Sequence, residues 1–239
     1  MKKMKGGFTL IEVSLFLAIT GLLFLGVTIG VQNSIFQQRY NDSVQNFAEF
    51  LRSAYAKTEN VQSAGTGDTD QAIYGKLITF GEPNSNNTVY MYSVIGKASC
   101  GGGFNGMLKA LIDCEADVLN SKGDPYLSES YTPKWSAAIQ SIDWNPFVGA
   151  ILITRHPQSG TVHTFVMNGK TINVSGKSRL DLKNNIFGSG EVNFCINPNG
   201  YTKAEGGGVR ADVRIVEGAR NSSGIETLFD EGNECMGQE

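Results

Sequence analysis

This 239-residue chain has two histidines, six prolines and two tryptophans. It contains no C-x-x-C pair, no Walker motif, no G-x-S-x-G elbow and no zincin motif. Those gaps remove the usual sequence signatures of structural zinc, phosphate-cradling loops and serine or metal hydrolases. Asp68-Thr69-Asp70 begins like a calcium loop but lacks the remaining ligands at the required spacing. His156 and His163 flank a Pro157–Gly160 turn and could face each other across a hairpin; two histidines can bind a metal, but polar hairpin positions are more often solvated. We therefore expect no enzymatic activity and no cofactor. Net charge is −3, so no overall basic field draws the chain to nucleic acid.

Proline is absent before Pro83, and charge is almost absent near the start. From Phe8 to Val31 the only charged side chain is Glu12. As a helix, these residues span about 36 Å, enough to cross a hydrocarbon core of about 30 Å. Lys2, Lys3 and Lys5 precede the run and place the N-terminus on the cytoplasmic side by the positive-inside rule. A carboxylate within a bilayer costs about 2.5–3.5 kcal/mol on insertion scales, so Glu12 asks for a functional reason. Gly21, Gly26 and Gly30 lie within the run, where glycine permits close helix packing.

A secretory signal carries its small-residue cleavage site after the apolar region. Here Gly6-Gly7 come before it, so a cut between Gly7 and Phe8 would leave the apolar segment on the mature chain. The stretch Lys5-Gly6-Gly7-Phe8-Thr9-Leu10-Ile11-Glu12-Val13 resembles the type IV pilin family, including the pseudopilins of type II secretion. The resemblance is specific over about the first 35 residues. It implies cleavage after Gly7 by prepilin peptidase and N-methylation of Phe8. It also implies that Glu12 pairs with the N-terminal amine of a neighbouring subunit and sets the stagger between subunits. Many pilins carry a proline partway along this helix, which this chain lacks.

After Val31 the composition becomes polar but the helical period continues. Tyr40, Val44, Phe47, Leu51, Ala54 and Thr58 form one stripe, flanked by Phe50 and Tyr55. The stripe predicts an amphipathic helix over 32–61 that lies on a sheet. About 180 residues follow, enough for one substantial core. Three hairpins are expected: Ala72–Phe80 with Thr88–Ile95, Val148–Thr154 with Val162–Met167, and Glu191–Ile196 with Val209–Val216. The block 98–146 reads as an irregular insert, with Met107, Leu108, Leu111, Ile112, Val118 and Leu119 at helix-like spacing.

The predicted fold is α+β: a leader over 1–7, a transmembrane and assembly helix over 8–31, its amphipathic continuation over 32–61, and an antiparallel β-rich domain over 62–239. The resemblance implies a lollipop-shaped pilin. Phe194-Cys195-Ile196-Asn197-Pro198-Asn199-Gly200 followed by Val209–Val216 is similar, more weakly, to the C-terminal half of H-type pseudopilins.

Cys100, Cys114, Cys195 and Cys235 all follow the apolar segment. An even number in an exported domain reads as two disulfides, with three connectivities open. We favour Cys100–Cys114 and Cys195–Cys235, since each closes one local segment. The second bridge resembles the one bounding the C-terminal loop of many pilins. Arg210, Asp212 and Arg214 share a strand face, with Arg220 nearby in sequence. They read as a neutralised, solvated ladder, with a phosphate-binding patch for nucleic acid as the sharper alternative.

The expected function is a minor pilin or pseudopilin subunit in the inner membrane, its domain outside the cytoplasm, assembled into a pilus or pseudopilus. Its partners are other such subunits, prepilin peptidase and the membrane. One alternative is a filament-tip module that binds a surface, DNA or a secretion substrate. Another is an anchored protein that never polymerises.

Overall fold

The computed structural model describes residues 9–60, 71–80, 88–97, 117–119, 128–135, 137–141, 148–156, 159–168, 190–197 and 211–229. One α-helix, α1, runs from Leu10 to Glu59. The chain divides into two compact units, Met1–Asp42 and Ser43–Glu239.

In the first unit, α1 is apolar around its whole circumference from Leu10 to Val31, apart from Glu12. Leu10, Leu22 and Phe24 are more than two-thirds exposed. This segment is long and apolar enough to cross a membrane. Its hydroxyls do not stand open: Thr20 Oγ1 donates to the Phe16 carbonyl at 2.8 Å and Thr28 Oγ1 to the Phe24 carbonyl at 2.7 Å. Such back-bonding satisfies a polar group where no water is available.

In the second unit, the predicted stripe is the buried face. Val44, Phe47, Leu51, Ala54, Tyr55 and Thr58 are all buried, and Ser43 and Ala48 widen the face. The hairpins form as expected, but in two sheets rather than one. Strands β1 (Gln71–Phe80), β2 (Val89–Lys97), β3 (Asp117–Leu119), β4 (Ser128–Tyr131), β6 (Val148–Arg155) and β7 (Val162–Asn168) make the larger sheet, ordered β3-β2-β1-β6-β7. β4 shares the β3 edge of β2, pairing Tyr131 with Val89 while β3 pairs Leu119 with Ser93. Strands β5 (Ala138–Ser141), β8 (Val192–Asn197), β9 (Ala211–Ile215) and β10 (Ile225–Leu228) make the smaller sheet, ordered β10-β9-β8-β5. The described strand pairs are antiparallel.

Phe47 sits where α1 meets both sheets. Its ring lies 5.5 Å from Phe194 of β8, edge to face, and 5.7 Å from Tyr131 of β4. Phe80 of β1 packs on Phe194 at 5.0 Å and joins the two sheets directly. Polar groups fix the helix at its flanks. Arg52 donates to the Ile225 carbonyl at 3.1 Å, and Lys57 binds both carboxylate oxygens of Glu129. At the C-terminal end of α1, the Arg155 guanidinium donates to the Glu59 carbonyl at 2.6 Å, a cation where the helix dipole is negative.

Three expectations need correction. Val118 and Leu119 belong to strand β3, not to a helix. The block 98–146 is not wholly irregular, since it also supplies β4 and β5. The three predicted hairpins do not account for every strand, since Ile225–Leu228 adds β10 beside β9.

Tyr55 gives a pH test of this core. Its hydroxyl shares a hydrogen bond with Thr164 Oγ1 at 2.7 Å, and Thr164 in turn donates to the Ala219 carbonyl at 3.1 Å. Burial pushes the phenol up to about 12. The protonated form is therefore favoured in the fold, and its contribution is complete below pH ~10, the ordinary tyrosine value. It is lost as pH rises from ~10 towards 12, a change on the order of 2–3 kcal/mol. Denaturant titrations should show Tyr55→Phe with a shallower alkaline loss than wild type. An unchanged alkaline slope would mean that Tyr55 does not titrate with unfolding.

Candidate functional site

The first described residues form a closed hydrogen-bonded unit. Thr9 precedes the helix and Glu12 is its third residue. Glu12 Oε2 accepts from the Thr9 backbone N–H at 2.9 Å and from Thr9 Oγ1 at 3.0 Å. The Glu12 N–H donates back to Thr9 Oγ1 at 3.3 Å. This reciprocal pattern is a capping box, which satisfies donors that a helix start leaves open and puts a negative charge at the positive end of the dipole. Thr-x-x-Glu before an apolar run is the sequence signature of this box. Glu12 therefore has a partner within its own chain. Gly7 and Phe8, the expected cleavage and methylation positions, lie outside the described residues.

The chain matches no family model, no curated protein and no solved structure.

The other candidate residues separate into different environments. Cys195 is buried in β8 and is disulfide-bonded. Cys100, Cys114 and Cys235 lie outside the described residues, and so does the pairing drawn for them. Arg210 lies outside them as well. Arg214 projects from β9 between its cross-strand neighbours Asn193 and Glu226. It binds Glu226 Oε2 at 2.7 Å and Glu191 Oε1 at 3.3 Å, so a phosphate would have to displace two carboxylates. Asp212 corrects the expectation of a solvated ladder, because it is 0% exposed. Alternation placed it on the right face, but that face is not open to water at this position.

Arg220 is exposed, and its charge acts on His163. Partial burial first, then Arg220 and His156, hold the His163 imidazolium below the usual histidine range. His163 Nε2 lies 3.2 Å from Thr161 Oγ1, and His156 Nδ1 accepts from the Ser159 N–H at 3.2 Å. Both rings bond to residues of the single turn between them. No group of three or more His, Cys, Asp or Glu among the described residues could hold a metal ion.

Lys76 and Ser93 form a pair that the sequence did not suggest. Lys76 Nζ donates to Ser93 Oγ at 2.8 Å, and burial holds the ammonium below the usual lysine range. A serine beside a lysine of lowered pKa has the ingredients of an activated nucleophile. Here Ser93 is 0% and Lys76 4% exposed, so no substrate reaches the hydroxyl. The pair is a core hydrogen bond.

Proposed function

We propose that this protein is a membrane-anchored filament subunit of the type IV pilin class, a minor pilin or pseudopilin. It would be cleaved after Gly7, methylated at Phe8 and polymerised through the first part of α1. The observation that carries the reading is that α1 from Leu10 to Val31 is apolar on every side and largely exposed, with Glu12 in its first turn as the one carboxylate of that stretch. A helix apolar all round calls for lipid or for other helices as its surroundings. In the membrane it is an anchor, and in a filament its neighbours are the same segments of other copies. The second unit, with its own core and two sheets, would be carried outside the cytoplasm as a pilin-like head.

Glu12 would serve twice. In a single subunit it caps its own helix through Thr9. On assembly its charge would meet the Phe8 amine of a neighbour, neutralising two charges that are costly in an apolar medium. The two roles come apart on substitution. Gln can replace Glu in a capping box but carries no charge. Glu12→Ala and Glu12→Gln should both insert into the membrane, and both should be depleted from sheared filaments relative to the membrane fraction. Normal incorporation of Glu12→Gln would reduce Glu12 to a cap and remove its docking role.

A further inference from the structure

Two turns of the second unit are bonded to each other. The turn between β6 and β7 is closed by the His156 N–H on the Thr161 carbonyl at 2.8 Å and the Gly160 N–H on the His156 carbonyl at 2.9 Å. After β9, the Ala219 N–H bonds the Val216 carbonyl at 3.0 Å, and the Val216 N–H bonds the Gly224 carbonyl at 2.9 Å. Thr164 Oγ1 of β7 donates to the Ala219 carbonyl at 3.1 Å and ties this second turn to β7. His163 and Arg220 stand next in sequence to those two bonded residues. Their proximity is therefore fixed by backbone and needs no ordering on binding.

The cluster is cationic. The charges that act on His163 are those of Arg220 and His156, and both oppose its protonation. Arg155 stands beside the same turn and is engaged by the Glu59 backbone carbonyl. Glu59 and Glu217 are exposed, and neither is among the charges acting on His163. Tyr55, bonded to Thr164, stays neutral through the histidine range. Arg52 and Arg214 hold carboxylates, whereas the exposed Arg220 makes no ion pair or hydrogen bond among the described residues. Like charges gathered in this way are unfavourable, and an anion seated between them would reverse the sign.

Ser159 and Thr161 add hydroxyls, and both are exposed. Thr161 Oγ1 lies 3.2 Å from His163 Nε2 and 2.7 Å from Ser159 Oγ. A protonated His163 donates from Nε2 to Thr161 Oγ1. The Thr161 O–H then turns to Ser159 Oγ, and the Ser159 O–H is released outward. One proton thus adds a charge and an open donor at the same place.

We propose that Arg220, His163 and the Ser159–Thr161 hydroxyls bind a tetrahedral oxyanion, sulfate or phosphate, free or as a terminal ester. The planar guanidinium of Arg220 suits two oxygens of such a group. Ser159 donates to a third, and His163 supplies charge. The anion favours the imidazolium, and by reciprocity the imidazolium favours the anion. Affinity is therefore gained as pH falls through the histidine range. The site lies within the second unit and does not depend on the filament reading.

Histidine-labelled full chain in detergent micelles tests it by NMR. The two histidines give two imidazole signals, and His163→Gln assigns them. Sodium sulfate keeps its double charge across the range and should move the His163 titration to higher pH. Sulfate should bind roughly tenfold more tightly at about pH 5.5 than at about pH 8. His163→Gln should bind weakly and without that pH dependence. Arg220→Gln should raise the His163 titration in the absence of sulfate, because a repelling charge is gone, and should remove most of the sulfate response. Its thermal midpoint should be unchanged; a lowered one would make Arg220 structural and overturn its role. Methyl phosphate separates the two sources. A response at least as large as sulfate's supports an ester ligand, and a smaller one supports the free ion. The same upward move in sodium chloride of equal ionic strength would reduce the effect to screening and overturn the site. A sulfate response that survives Arg220→Gln would overturn it as well.

Discussion

Phe47→Ala should destabilise the second unit by about 3–5 kcal/mol, the range for truncating a buried phenylalanine. Phe47 is 1% exposed and contacts rings from two sheets. Its removal therefore opens a cavity where helix, β4 and β8 converge, and no single element can close it alone. At roughly 2–4 °C per kcal/mol for a body of this size, the thermal midpoint should fall by roughly 6–20 °C. Phe50→Ala is the comparison. Phe50 stacks on Tyr131 from the same helix but is only half-buried, so its loss should be clearly smaller. Calorimetry on the two variants checks this. Equal losses would mean that the junction of the sheets is not the centre of the core.

Gly75→Ala should cost about 2–3 kcal/mol through overpacking, although it adds one methyl group. β1 shifts register between Ile73 and Gly75, and Gly75 pairs with Thr154 of β6. A Cβ there would lie 2.1 Å from the Ile153 carbonyl oxygen and 2.8 Å from the Thr154 Cα. Both are backbone atoms, so no side chain can swing aside. The two strands must separate, which weakens the central pairing of the larger sheet. Amide exchange should quicken in β1 and β6 before it changes in the smaller sheet. Gly190→Ala, where an added Cβ meets nothing within 4 Å, should be nearly silent. A silent Gly75→Ala would contradict the close approach of β1 and β6.

The elements that were legible in the sequence repeat their signal over many residues. The apolar run, the stripe from Val44 to Thr58 and the three hairpins each persist long enough for periodicity to register. The elements without a sequence signal are short. β3 has three residues, too few for any period, and its Val118–Leu119 continued a spacing that suited a helix. β4 is Ser-Glu-Ser-Tyr, too short and too polar to show an apolar alternation, and its Glu129 reaches Lys57 of α1 in a part-exposed ion pair. β10 is four residues, Ile-Glu-Thr-Leu, after a single 3-10 turn, Ser222–Gly224, and its pairing with β9 defines it. Asp212 illustrates the same limit, since strand alternation assigns a face but not what covers it.

At the candidate site, the apolar run makes Glu12 conspicuous in the sequence, whereas its local chemistry depends on a neighbour three residues before it. Thr9 supplies both hydrogen bonds to the carboxylate. The left-handed backbone of Trp135, at φ +58°, has no sequence signal at all, because Pro133-Lys134-Trp135-Ser136 contains no glycine or asparagine to mark such a position.

A pilin-class subunit must lose the segment before Phe8. Intact-mass and N-terminal peptide mass spectrometry of the protein recovered from membranes tests it most directly. The account predicts a chain that begins at Phe8 and carries one added methyl group on its amine. A chain that retains Met1–Gly7 in the membrane-embedded, assembled form would contradict it.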